Sequence, residues 1–293
     1  MRVLIAGATG YIGRNICYKL EEKGIDFAIL FRDSTELAKS NINTTKTYKI
    51  GSSNQFQELQ IAFEDFTPNY VINASGFSSR TQKTLDYPSL IQSNIEFGSN
   101  LAIVSSHSGA QFLNLSSFWQ ETNSDISTIK NFYSKTKEIL DSIIDYLVEF
   151  HGLSATSLIL YDNYGPFDPR GKVVSKLLES YKVGQKFKLD NPAARINLLH
   201  ISDVVDGIIA CLMMGKLPRK LEISNSEIVT VGHLFLVANA IVSQQLDSGM
   251  LGESEAASAE APHTQRAPWP DNWFPRISLQ NGLKQLIVLE GKI

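Results

Sequence analysis

The sequence contains little cysteine and little histidine, which argues against a disulfide framework and against a metal site. Two cysteines, Cys17 and Cys211, occur among 293 residues, far apart and inside apolar helical patterns. We interpret them as reduced core residues, which predicts a cytoplasmic protein without a disulfide framework. No pair of the five histidines has metal-ligand spacing, so no metal site is expected. His200 lies in an apolar strand and is interpreted as a core residue.

An excess of basic charge and a long apolar run are also absent. The formal net charge of -3 leaves no basic footprint for nucleic acid. The apolar run after Arg2 is short and ends in a glycine turn, so no secretory signal is predicted. The apolar segment 204–214 is too short to span a bilayer and is interrupted by Asp206. Neither nucleic acid nor a membrane is therefore an expected partner.

The chain opens with MRVLIAGATGYIG. Residues 3–6 form a short apolar run typical of a buried parallel strand, and Gly7, Gly10 and Gly13 lead into a helical pattern over 11–23. Glycine here lets the backbone approach a pyrophosphate, whose charge the first amides of the helix bind. The spacing is G-x-x-G-x-x-G, a variant of G-x-G-x-x-G, and a glycine-rich turn without a ligand would share it. The predicted dinucleotide contacts in this stretch are Gly7, Thr9, Gly10, Tyr11, Ile12 and Gly13.

Strand and helix patterns then alternate through the first half. Predicted strands lie at 27–31, 48–50, 70–72, 112–115 and 157–161, and predicted helices lie at 54–65, 86–107 and 131–150. This βαβ repetition predicts an α/β fold with a Rossmann-like, doubly wound parallel sheet. Such sheets bind ligands at the carboxyl ends of their strands. Residues 247–264 are small, acidic and aperiodic, which predicts a loop or linker.

The tip of the second predicted strand carries Arg32 and Asp33, which favour different cofactors. An arginine there suits the 2′-phosphate of NADP, whereas a carboxylate suits the ribose hydroxyl of NAD. Asp33 with Glu36 also forms a helix-starting pair. We favour NADP through Arg32 and keep NAD as the alternative. After the fourth strand, the small residues Ala74 and Ser75 would let the cofactor backbone lie across the sheet edge.

Residues 131–137, NFYSKTK, carry the predicted chemistry. Tyr133 and Lys137 are one helical turn apart and face the same way. A neighbouring ammonium lowers the pKa of a phenol, so that tyrosine can exchange a proton with a sugar or alcohol oxygen. Ser116 or Ser117, at the end of the fifth strand, would hydrogen-bond the reacting oxygen. The choice between the two serines stays open.

These motifs together resemble the extended short-chain dehydrogenase/reductase superfamily, in its nucleotide-sugar epimerase/dehydratase branch. The resemblance rests on GATGYIG, the Ser/Tyr/Lys set, Asn94 within SNIEFGSNL, LYDNYGPFDPRGK at 160–172 and RINLLHISDVV at 195–205. It implies that Tyr133 is the acid/base, that Lys137 holds the ribose, that Ser117 or Ser116 polarises the carbonyl, and that Arg195 clamps a substrate pyrophosphate. Asn163 and Lys172 are further expected substrate contacts. Arg170 is interpreted either as a contact of the diphosphate or as a solvated loop residue.

The resemblance also implies a division of the chain. We expect a dinucleotide-binding domain at 1–160 and a smaller, mainly substrate-binding subdomain at 161–293, with 196–215 returning to the first. A homodimer is compatible with it. The aspartate usual after the third strand is missing, since Gly51-Ser52-Ser53 stands there, which leaves adenine recognition open.

Within the branch, the motifs are most similar to 4-ketoreductases of deoxysugar biosynthesis, of the CDP-abequose synthase kind. This implies NADPH-dependent reduction of the 4-keto group of a CDP- or dTDP-linked 6-deoxy or dideoxy sugar in bacterial polysaccharide synthesis. An NAD-dependent 4-epimerase is the alternative. Dehydration is not predicted, because Phe118 and Trp119 replace the Asp-Glu pair of dehydratases. An intact Tyr133 and Lys137 argue against a regulator that only binds the cofactor.

Overall fold

The computed structural model describes residues 1–44, 46–78, 83–118, 131–185, 187, 189–246, 261–262 and 265–290. The chain divides into two compact units. The first consists of Met1–Leu160 and Ile208–Glu222, and the second of Tyr161–Gly207 and Ile223–Ile293. The segment that we expected to return to the first unit, 196–215, overlaps its second piece at 208–215.

The first unit contains a seven-stranded parallel sheet, which confirms the predicted Rossmann-like α/β fold. Its strands are β1 (Arg2–Ala6), β2 (Asp26–Phe31), β3 (Lys46–Lys49), β4 (Tyr70–Asn73), β5 (Gln111–Ser117) and β6 (Ala155–Leu160), with β10 (Lys220–Ile223) at one edge. The spatial order is β10-β6-β5-β4-β1-β2-β3. The order reverses at β1, and such a switch point is where open α/β sheets bind ligands.

Helices connect these strands. They are α1 (Tyr11–Glu22), α2 (Ser34–Lys39), α3 (Gln55–Phe66), α4 (Tyr87–Leu90), α5 (Phe97–Ser108) and α6 (Phe132–His151). The helix predicted at 86–107 is interrupted by a π-helical turn, Ile91–Glu96. Apolar periodicity does not reveal this turn, because an extra residue in one turn shifts the apolar positions by a single step and the pattern on either side stays helical.

The sheet is buried on both faces. On one face, Leu4, Leu30 and Phe112 pack in a core with residues of α3, α5 and α6. On the other, alternating positions such as Ile5 and Ile29 are also fully buried. Burial on both sides explains why the strands read as continuous apolar runs rather than alternating ones.

The second unit has its own small sheets and its own core. Its strands are β7 (Asp162–Tyr164), β8 (Arg195–Ile196), β9 (Leu198–His200), β11 (Glu227–Thr230) and β12 (Ala261–Pro262), and its helices are α7 (Val173–Lys182), α9 (Val231–Leu246) and α10 (Leu279–Glu290). The core includes Leu177, Leu234 and Leu286. Helix α8 (Ile201–Met213) begins in this unit and ends in the first. Among the described residues, no helix is both long and apolar enough to cross a membrane.

Candidate active site

The turn after β1 packs so closely that two of its residues must be glycine. Gly7 has φ of 79°, and a Cβ there would lie 2.6 Å from the main chain of Ala74. A Cβ on Gly13 would lie 2.1 Å from the Gly7 oxygen. The first amides of any helix have no partner within the helix. At the start of α1, no side chain caps them either. This geometry fits the diphosphate of a dinucleotide.

A cleft of about 220 Å³ lies beside this turn. Of the residues predicted to contact a cofactor, it is lined by Gly7, Thr9, Gly10, Arg32, Ala74 and Ser75. Tyr11 and Gly13 are buried and Ile12 is half-buried. A larger cavity, of about 460 Å³, is lined by residues of α3 and α5 such as Phe56 and Val104, and contains none of the predicted site residues.

Asp33 and Arg32 differ in their contacts at the tip of β2. Asp33 is the N-cap of α2, and its Oδ1 accepts a hydrogen bond from the Thr35 amide at 2.7 Å. That hydrogen bond lowers the pKa of the Asp33 carboxyl. Arg32 and Asp33 both line the cleft, and the exposed Arg32 side chain makes no hydrogen bond or ion pair with any described residue. The helix-starting use of Asp33 is therefore the one that the structure contains.

Tyr133 and Lys137 lie on the first turns of α6, which Asn131 caps by accepting the Ser134 amide at 2.8 Å. Tyr133 is half-buried. Lys137 is only 4% exposed, and its Nζ donates to the carbonyls of Leu115 at 3.1 Å and Ser75 at 3.4 Å. Burial lowers the pKa of Lys137 to about 8, an effect that the Asp141 carboxylate partly opposes. The lysine thus joins the helix to the loop after β4.

The two candidate serines differ in their surroundings. Ser116 Oγ donates to Asp141 Oδ2 at 2.8 Å, inside the buried part of the unit. Ser117 is the last residue of β5, and its side chain points to the opposite face because side chains alternate along a strand. Ser117 is therefore the serine at the carboxyl edge.

Asn94, in the π-helical turn, holds the loop after β4 against α6. Its Oδ1 accepts the Phe77 amide at 2.7 Å, and its Nδ2 donates to the Phe77 carbonyl at 3.0 Å and to Thr136 Oγ1 at 2.9 Å. From the sequence, Asn94 was recognised only as part of the resemblance. Asp141 and Asn114 were not predicted, although an asparagine inside an apolar strand is a usable signal of a buried polar network.

In the second unit, no hydrogen bond or ion pair between described residues joins the predicted substrate contacts Asn163, Lys172 and Arg195 to one another. Asn163 is buried: its Oδ1 accepts from the Arg170 guanidinium at 2.7 Å, and its Nδ2 donates to the Tyr161 carbonyl at 3.1 Å. Arg170 also binds both carboxylate oxygens of Asp168, each at 2.7 Å, so this arginine is an ordered loop contact rather than a solvated one.

Lys172 and Arg195 have different environments. Lys172 Nζ lies 3.3 Å from Asp162 Oδ1, and burial lowers its pKa. Arg195 is exposed in β8 and has no ion pair or hydrogen bond with a described residue. No described contact connects Arg195 to Lys172 or Asn163.

Trp273 and His200 are buried residues of the second unit. Trp273 is buried, and its Nε1 donates to the Asp203 carbonyl at 3.0 Å. His200 is buried too, and burial lowers its pKa to about 4. Both therefore belong to packing. Trp119 and, apart from residues 261–262, the loop predicted at 247–264 lie outside the described residues.

Some known proteins are similar to this chain in sequence, and others are similar to it in fold. CDP-abequose synthase of Yersinia pseudotuberculosis is 25% identical over 211 residues, which cover 71% of this chain and 72% of that protein. UDP-glucose 4-epimerase of Thermotoga maritima, with UDP-glucose, superposes with a TM-score of 0.77 at 20% identity over 98% of both chains. UDP-glucose 4-epimerase of Thermus thermophilus, in complex with NAD, superposes with a TM-score of 0.74 at 19% identity over the whole of both chains.

A family model covers most of the first unit and continues into the second. It matches residues 3–224, which include the glycine turn, both serines, Tyr133, Lys137 and the segment around Arg195. The resemblance inferred from the motifs is thereby confirmed. The chain belongs to the NAD dependent epimerase/dehydratase family of enzymes.

Proposed function

We propose that this enzyme is an NADPH-dependent 4-ketoreductase acting on a CDP- or dTDP-linked 6-deoxy or dideoxy sugar. The relationship to CDP-abequose synthase supports this substrate class. The observation that carries the proposal is the pair at the tip of β2. Both side chains line the cleft, but an Asp33 carboxylate oxygen caps α2, whereas Arg32 has no partner among the described residues. An unpaired guanidinium there suits a 2′-phosphate.

The roles of the residues follow from their positions. The nicotinamide, when bound, supplies the hydride. Lys137 holds the ribose and keeps positive charge near Tyr133, which donates a proton to the oxygen of the reduced carbonyl. Ser117 donates a hydrogen bond to the same oxygen as negative charge develops. We assign this role to Ser117 because the Ser116 hydroxyl donates to Asp141.

The second candidate is an NAD-dependent nucleotide-sugar 4-epimerase. The solved structures with this fold favour it, since they include UDP-glucose 4-epimerases, one of them in complex with NAD. An epimerase retains its NAD and recycles it, whereas a reductase consumes NADPH. Cofactor choice therefore separates the two candidates.

Calorimetry with both cofactors tests the proposal. NADPH should bind at least ~10-fold better than NADH, a difference of about 1.4 kcal/mol, and Arg32→Ala should abolish this preference. Lys39→Ala is the matched control, because it removes an exposed cation from α2 that does not line the cleft. The protein should then oxidise NADPH with CDP- or dTDP-4-keto-6-deoxy sugars. Tightly bound NAD that copurifies with the protein would favour the epimerase instead.

A further inference from the structure

Asp141 is a buried carboxylate one helical turn after Lys137 on α6, and it is 7% exposed. Three neutral side chains of the neighbouring strands donate to it. Asn114 Nδ2 and Ser157 Oγ donate to Oδ1 at 2.9 and 2.6 Å, and Ser116 Oγ donates to Oδ2 at 2.8 Å. The Asp141 carboxylate thus joins α6 to side chains of both β5 and β6.

Hydrogen bonds continue from Asp141 to the residues around Lys137. Asn114 Oδ1 accepts from Asn73 Nδ2 at 3.0 Å, and Asn73 Oδ1 accepts the Ser75 amide at 3.3 Å. The Ser75 carbonyl in turn accepts from Lys137 Nζ. The path therefore starts on α6, crosses β5 and β4, and returns to α6 at the lysine.

On its other side the network ends at Arg219. Its guanidinium donates to Ser157 Oγ at 2.9 Å, to the Asp141 main-chain oxygen at 3.3 Å and to Asp145 Oδ1 at 2.7 Å. The guanidinium thus bonds the Asp141 backbone, whereas the Asp141 carboxylate bonds the neutral donors. Asp145 lies at the exposed end of this arrangement.

Other ionisable groups near this part of α6 are few. Strands β5 and β6 have none, and the helical segments packed on α6 contribute Tyr87, Glu96 and His107. None of these three hydrogen-bonds Lys137 among the described contacts, and Asp141 is the charged group that acts on it. A buried ammonium without such a charge loses its proton more easily.

We propose that Asp141 is a positioning residue for the reaction: it holds the end of β5 through Ser116 and positions Lys137 through the hydrogen bonds of Asn114, Asn73 and Ser75. This inference rests on the proposed function only in giving Lys137 a catalytic role. The network itself is independent of which sugar is reduced.

The test compares Asp141→Asn with Asp145→Asn. Each change removes one carboxylate from α6, but only Asp141 accepts the bonds from β5 and β6, whereas the exposed Asp145 bonds Arg219 at the end of the network. NMR titration of ¹³C-labelled lysine, with the Lys137 signal assigned through Lys137→Met, follows the ammonium without any substrate. Because Asp141 raises the pKa of Lys137, Asp141→Asn should move that titration toward acid. Asp145→Asn should leave it in place.

Kinetics provide the second measurement. Turnover should decline as pH rises through about 8 in the wild type, where Lys137 loses its proton, and this basic limb should shift to lower pH in Asp141→Asn. A purely structural role would lower turnover at every pH without moving the limb. An unmoved lysine titration overturns the proposal for Asp141, whereas absence of ketoreduction in the wild type overturns only the proposed function.

If Asp141→Asn does not fold, the double variant Asp141→Asn/Lys137→Met decides. An uncompensated buried ammonium is then the cause of instability, so removing the lysine should restore folding, measured by thermal denaturation. A double variant no more stable than Asp141→Asn would show that Asp141 acts independently of Lys137, and would refute the inference.

Discussion

In the proposed mechanism, the single side chain of Lys137 connects cofactor binding with catalysis. It is nearly fully buried, donates to one carbonyl of β5 and one of the loop after β4, and has a pKa of about 8 because burial opposes its charge. A lysine in this state still carries a proton at neutral pH. It can therefore stabilise negative charge on Tyr133, one turn earlier on α6.

Removing the Tyr133 hydroxyl tests its assigned role. Tyr133→Phe should keep the fold and the affinity for NADPH while turnover falls by about 10²–10⁴-fold, the usual contribution of one positioned general acid. Steady-state rates, together with calorimetry of NADPH binding, check this.

Tyr146→Phe is the matched control, since it removes a phenol from the exposed side of the same helix. It should leave turnover unchanged. Near-normal turnover in Tyr133→Phe would exclude this residue from proton transfer.

The sequence was sufficient to propose individual site residues but not their connections. Spacing placed Tyr133 and Lys137 on one helix face, because a helical repeat determines which residues are neighbours. The bond from Ser116 to Asp141 joins residues 25 positions apart, and no local pattern encodes that pairing. Asp141 therefore appeared as an ordinary polar residue of an amphipathic helix.

At the level of elements, the turn from β1 into α1 shows what local sequence does predict. From the sequence, Gly7 and Gly13 were interpreted as positions where a cofactor comes close to the backbone. The structure adds a second reason, since protein atoms occupy the positions where a Cβ would lie. Close packing thus requires glycine at these two positions.

Adding one methyl group to this turn should be costly. Gly13→Ala places a Cβ 2.1 Å from the Gly7 oxygen, so the helix or the turn must move, and the free energy of unfolding should fall by about 1–3 kcal/mol or more. NADPH affinity should fall as well. Urea denaturation and calorimetry measure the two effects.

Gly215→Ala is the comparison, because a Cβ there meets nothing within 4 Å. Its stability should stay within about 0.5 kcal/mol of the wild type. Equal stabilities of Gly13→Ala and Gly215→Ala would contradict the close packing of the turn.

At the level of the whole molecule, the chain crosses between two units more than once. The parallel sheet was predictable because apolar runs and helical patterns alternate over the first 160 residues. The return of 208–222 to the first unit was harder to delimit, since α8 continues across the boundary between Gly207 and Ile208 as one helix. Long-range pairing, such as β10 at the edge of the sheet, depends on tertiary packing rather than on local pattern.

The two units should also differ in which kinetic constant their residues control. The proposed acid and its lysine belong to the first unit, whereas Arg195 belongs to the second. A cation that pairs with a substrate diphosphate before and during the reaction contributes equally to ground state and transition state, so its loss changes KM. Arg195→Ala should therefore raise KM for the nucleotide sugar by about 10- to 100-fold, the worth of a charge-assisted hydrogen bond, with kcat within about threefold.

Lys176→Ala, which removes an exposed cation from α7, should change neither constant. If Arg195→Ala lowers kcat and leaves KM unchanged, the diphosphate is bound by other cations and Arg195 acts only in the transition state.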